Sequence, residues 1–246
     1  MSASSPRPKS GKPRKKESGA LVAGAFGMFS IALIALSFPL FADSVVAQRS
    51  IETVDRLKSG QIIPTAELEA ALRAIGPVSP EHPPIGDRLA NQSILSLTLA
   101  LRIPNSDPAK IEYLEDSLSL IRARLARAPA DTHSWARLAL AEYLLNGPSE
   151  EAIAALTMSH RTGPYEYFAL RSRLELGLIL WPFAGDDLKE ATVLQAALLW
   201  EISGDRNWLV RAYSAWPEEV QARVLAALEA RGRGEAFTAA LTTISN

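Results

Sequence analysis

The 246-residue sequence contains no cysteine, which excludes disulfides, zinc ribbons and thiol catalysis at once. Histidine is nearly as scarce: His82, His133 and His160 are the only three. None lies four residues from another, and no HExxH or related ligand spacing occurs, so no metal site is expected. Gly-rich phosphate loops and GxSxG elbows are absent as well, and with them the motifs of nucleotide cofactors and serine hydrolases. No segment alternates apolar and polar residues between turn signals, which argues against strands. We therefore expect no cofactor, no catalytic residue and a non-enzymatic protein. A carboxylate pair for glycoside cleavage is the rival, because such pairs are assembled in space rather than in sequence.

Charge is also missing from one long stretch. Between Ser18 and Ala42 there is no ionisable side chain, while Glu17 and Asp43 flank it. At a 1.5 Å rise these residues would make roughly 37 Å of helix, more than the ~30 Å hydrocarbon core requires. Eleven are Leu, Ile, Val or Phe, each favouring insertion by about 0.3–0.6 kcal/mol. The apolar core exceeds the ~7–15 residues of a signal peptide, so an uncleaved anchor is expected; cleavage after Ala42 or Ala47 is the alternative. Ala20/Gly24 and Ala23/Gly27 are small-xxx-small pairs that would permit close helix packing or simply be tolerated in lipid.

Residues 1–17 carry six basic side chains and one acid. By the positive-inside rule this tail is cytoplasmic, and everything after residue 42 lies across the membrane. The tail would bind either anionic lipid headgroups or a cytoplasmic protein. Beyond it remain 20 basic and 26 acidic residues, a net of −6 that argues against nucleic acid.

Four regions follow: a basic tail (1–17), a transmembrane anchor (18–42), juxtamembrane helices with a proline connector (43–86) and a helical domain (87–246). Within 43–86, Thr65 is the expected cap of a short helix that Gly76 ends. Four prolines between 77 and 84 mark a semi-rigid connector and the domain boundary. Further on, Asp107-Pro108 reads as a helix start. Ile111, Leu114, Leu118, Ile121 and Leu125 then make one apolar stripe. The fold class is all-α.

Pro129 and Pro164 bracket a unit close to the 34-residue period of tetratricopeptide repeats. Trp135 and Leu138 stand at the large and leucine positions, Ala139 and Ala152 at the small crossing positions, and Leu156 at the bulky one. Tyr143 falls one place late, and Ser159 replaces the usual alanine. The unit resembles such a helical repeat, which implies a protein-interaction domain; a plain helical bundle is the alternative. Residues 115–200, with the "RTGPYE" turn and the "GLILWP" helix end, resemble the membrane-anchored VpsP-like polysaccharide biosynthesis proteins. That resemblance implies a bacterial inner-membrane protein with its helical domain in the periplasm, in an accessory role in making or exporting an envelope polysaccharide. A periplasmic chaperone or a division or secretion scaffold are the other adaptor readings.

After the membrane segment, 17 Arg face 3 Lys. Arginine's fork grips carboxylates, which suits an acidic peptide or an acidic polysaccharide; solvated faces and salt bridges to Glu112, Glu166 or Glu175 are the competing use. In stacked helix pairs the first helix of each pair lines the binding side. That selects Arg137, Arg171 and Arg173 as binding candidates, all expected at the surface and replaceable without harm to the fold. The three histidines are expected in surface or capping roles, and the five tryptophans in the core rather than stacked on sugars.

Overall fold

The computed structural model describes residues 50–76, 88–202 and 206–244. Residues 1–49, which include the expected anchor, and residues 77–87 and 203–205 lie outside them. Among the described residues the chain is all-α, without strands. No helix there is long and apolar enough to cross a membrane.

Residues 50–58 form α1. It is followed by α2 (Thr65–Ile75), α3 (Arg88–Arg102), α4 (Ala109–Arg127), α5 (Thr132–Asn146) and α6 (Glu150–Thr162). Then come α7 (Leu170–Leu180), α8 (Asp186–Ile202), α9 (Arg206–Tyr213), α10 (Glu218–Ala230) and α11 (Gly234–Ile244). A 3₁₀ turn precedes α7 at Tyr167–Ala169, and another follows it at Trp181–Phe183.

Helix ends follow local chemistry. Asp131 caps α5 by accepting the Ser134 N–H, and Ser149 caps α6 by accepting the Ala152 N–H. Gly147 ends α5 at φ 72°, a conformation that costs a residue with a Cβ about 1–2 kcal/mol. Asp107 accepts the Ala109 N–H at 3.0 Å, as its position before Pro108 predicts. Thr65 does not cap α2; it is the first helical residue, and Pro64 stands at the cap without a side-chain bond. The acid pairs Asp186-Asp187 and Glu218-Glu219 occupy the first turns of α8 and α10, where they complement the helix dipole.

Most consecutive helices pack on each other, and the apolar interior is divided into three clusters along the chain. The first joins Val54 and Ile63 to Leu68 and Ile75 of α2 and to Leu95 and Leu99 of α3. The second is built from α3 to α7 with Leu188 of α8, and the third from α7 to α11. Val46–Asn246 forms one compact unit, so the boundary expected at the proline connector falls inside it. The physical reason is the first cluster: α1 and α2 bury their apolar faces on α3.

Ala139 and Ala152 are both fully buried in the α5–α6 contact, with Leu156 beside them. Trp135 is half-buried against the same cluster and donates its indole N–H to the Pro129 carbonyl at 2.7 Å. The stripe on α4 is buried at Leu114, Leu118, Ile121 and Leu125, but Ile111 is exposed. A strict three-four pattern drifts by about 20° per heptad, so two heptads before Leu125 the stripe has turned off the core. Trp181 and Trp200 are buried; Trp208 and Trp216 pack half-buried on the third cluster.

Candidate functional site

A cleft of about 800 Å³ opens between α1, the start of α3 and the start of α5. Its wall includes Leu57 and Lys58 from α1, Asn91 and Ile94 from α3, and the exposed Phe168 ring from the turn before α7. Asp55 and Lys58 bring charge from α1, and Arg124, Asp131 and Arg137 bring it from the α4–α5 side, where His133 joins them. A volume of this size suits a segment of chain or a small ligand.

The charged groups form a hydrogen-bonded relay. Arg124 Nε donates to Asp131 Oδ2 at 3.2 Å. The same carboxylate accepts the Ser134 N–H at 3.1 Å on Oδ1 and the Ser134 hydroxyl at 3.0 Å on Oδ2. That hydroxyl in turn accepts from Arg137 Nη2 at 3.0 Å. Burial by itself would raise the Asp131 carboxyl, but the two Ser134 donors, Arg124 and the charge of Arg137 together hold it below its ordinary range. Asp131 is an anion at neutral pH.

Arg137 is the under-partnered member. Its Nε is buried without a hydrogen-bond partner, and the Ser134 hydroxyl is a neutral acceptor. Burial pushes its pKa down to about 10, with Asp131 opposing and Arg124 adding to the fall. The guanidinium stays charged at neutral pH, and a carboxylate entering the cleft would meet a desolvated cation with donor capacity to spare. His133 stands at Glu166, Nε2 to Oε1 3.5 Å. Burial and then Arg137 lower its pKa, against the pull of Glu166 and Asp131, so it is neutral at pH 7.

The three arginine candidates separate. Arg137 lines the cleft. Arg171 is exposed, paired with Glu175 at 3.0 Å and laid over the Trp208 ring at 4.4 Å. Arg173 is a correction to the sequence reading: it is fully buried and cannot be a surface cation. Its guanidinium donates to the carbonyls of Ser159 at 3.0 Å, Gly163 at 2.7 Å and Pro164 at 3.4 Å, closing the C-terminal end of α6. His160 is likewise buried rather than on the surface. His82 lies outside the described residues.

Of the first helices expected to line the binding side, α5 does so; α7 contributes only the preceding Phe168. The parts the sequence reading passed over are the α1 and α3 walls, Asp131 as an anion, and Phe168. Only Asp131 carries a local signal, an Asp placed three residues before Ser134 at a helix start.

No protein-family model, curated protein or solved structure matches the chain.

Proposed function

We propose that the chain is a non-enzymatic adaptor, anchored in a bacterial inner membrane by residues 18–42, with its helical domain in the periplasm. It belongs on this reading to an envelope polysaccharide assembly or export system, as the likeness of residues 115–200 to the VpsP-like proteins implies. Residues 130–164 are taken as a tetratricopeptide-like helix pair, which the buried Ala139 and Ala152 support. The occupant of the cleft is an acidic segment of a membrane or periplasmic protein partner.

The observation that carries the reading is Arg137: a charged, half-buried guanidinium at a cleft large enough for a chain segment, with a buried Nε that has no partner. Arginine in such a setting favours carboxylates, because its fork matches two oxygens and its weak hydration lowers the cost of burial. Phe168, Ile94 and Leu57 add apolar surface for the residues flanking the acid.

The test uses full-length protein in its own cells. Arg137→Gln should leave protein level and thermal midpoint unchanged while reducing co-purification of membrane glycosyltransferases or export proteins, and polysaccharide output with it. Normal output and normal partner recovery from a well-folded Arg137→Gln variant would reject the cleft as the docking surface. Topology is tested separately: alkaline phosphatase fused after Asn246 should be active and membrane-bound. A shortened soluble product starting near Asp43 or Gln48 would reject the anchor.

A further inference from the structure

The wall of the large cleft holds one group whose charge changes near neutral pH, and the adaptor reading gives it no part. Carboxylates, ammonium and guanidinium groups keep their charge from about pH 5 to 8, whereas an imidazole titrates near 6.5. His133 lines the cleft with 42% of its side-chain surface open, so an occupant of the cleft can touch it. It stands four residues before Arg137 on α5, and side chains at that spacing project from the same face of a helix.

The charges around His133 come from several elements. Asp131 caps α5 and Arg137 belongs to it, Glu166 lies in the turn before α7, and Arg173 is on α7. Asp55 and Lys58 of α1 and Arg124 of α4 share the cleft wall. Most of these offset one another. Lys58 Nζ lies 3.6 Å from Asp55 Oδ1, Arg124 is bonded to Asp131, and Glu166 opposes Arg173. Arg137 is the charge left over at neutral pH, because its side-chain hydrogen bond goes to the neutral Ser134 hydroxyl.

A proton on His133 doubles that excess. The other charges are already present at pH 7, so Glu166, 3.5 Å from Nε2, orients the imidazolium without cancelling the gain. A neutral ring has one N–H to give and an imidazolium two, and the new charge appears about one helical turn from the Arg137 guanidinium. Burial first and Arg137 next oppose this charge and lower the His133 pKa, so the ring is neutral at pH 7. A carboxylate held between the two side chains offsets the repulsion by Arg137 and favours the proton. By linkage the proton then favours the carboxylate to the same degree.

We propose that His133 is a proton-operated control on the cleft: as pH falls from about 7.5 to 5.5, its imidazolium joins Arg137 on a carboxylate of the acidic segment and tightens the hold on it. This control presupposes the adaptor reading, which puts that segment in the cleft. The segment's own carboxylates stay ionised over the same range, since a free Glu titrates near 4.3.

The test uses full-length protein in an uncharged detergent, with the acetylated and amidated peptide Glu-Glu-Phe-Glu-Glu as probe at constant ionic strength. Circular dichroism first establishes equal helix content at the two pH values. The affinity for the peptide should then rise roughly fivefold or more between about pH 7.5 and 5.5. His133→Asn should hold the affinity at its starting value throughout, and Arg137→Gln should abolish binding at both pH values. In histidine-labelled protein, saturating peptide should raise the midpoint of the His133 NMR titration. Equal affinity at both pH values, an unmoved His133 midpoint, or a pH dependence that survives His133→Asn would overturn the control and leave the adaptor reading intact. Failure of the folded protein to bind the peptide at either pH would overturn the docking of an acidic segment as well.

Discussion

Arg173 on α7 donates to the Gly163 carbonyl at 2.7 Å and so ties the helix pair α5–α6 to the next one. Its bonds at this helix end are shorter than the others there: the Ser159 carbonyl also accepts from the Gly163 N–H at 3.3 Å and the Thr162 hydroxyl at 3.4 Å, and the Gly163 carbonyl from the Glu166 N–H at 3.3 Å. A fully buried cation is tolerated here because several carbonyl dipoles replace its water, although burial still pushes its pKa down to about 10.

Arg173→Met should therefore destabilise the protein by about 3–5 kcal/mol, since two short hydrogen bonds to a charged group, at roughly 1.5–3 kcal/mol each, are lost together. Arg173→Lys should recover only part, because an ammonium cannot span the same set of oxygens. Arg171→Ala, at an exposed ion pair, should cost less than about 1 kcal/mol. Urea denaturation of the three variants checks the order; equal midpoints for the Met and Ala variants would refute the clasp.

Gly177 marks where α7 and α8 cross closely. A Cβ there would lie 2.8 Å from Thr192 Cγ2 and closer still to its hydroxyl, which is held by the Leu188 carbonyl at 2.7 Å. Because both γ atoms of Thr192 are in the way, no rotation of that side chain makes room. Gly177→Ala should cost about 1–3 kcal/mol of stability by overpacking. Thr192→Ala should rescue it, a coupling that a double-mutant cycle in thermal or urea unfolding reads directly.

Ala139→Leu tests the corresponding contact of α5 with α6. Ala139 has no exposed surface, and neither does Ala152. Three added heavy atoms should lower stability by about 1–3 kcal/mol. A thermal midpoint equal to that of the parent would show that the two helices do not meet at these alanines.

His160 makes stability depend on pH in a defined direction. Its pKa is about 3 in the folded protein against 6.5 for an unperturbed imidazole. Below pH 6.5 the unfolded chain takes up a proton that the folded chain refuses, so this contribution is complete above pH 6.5 and is lost as pH falls towards 3. The slope approaches 1.4 kcal/mol per pH unit inside that window. Denaturation midpoints between pH 7 and 4 should fall accordingly, and His160→Gln should flatten the curve. An unchanged slope in that variant would place the acid sensitivity elsewhere.

The periodicity of single helices was enough to determine the all-α class and the burial of Leu114, Leu118, Ile121 and Leu125, and the repeat spacing marked the buried Ala139, Ala152 and Leu156. These are properties of short range, in which a cap, a proline or a repeating apolar face acts on residues a few positions away. Arg137 was legible too, as a cation on the first helix of a pair. Arg173 was not. Two residues from Arg171 it points to another side of α7, and whether that side meets water or the end of α6 depends on where α6 stops. The cleft required α1 and α3 to come beside α5. Only tertiary packing decides which polar groups lose their water and which lack a partner afterwards, because desolvation is set by neighbours distant in the chain.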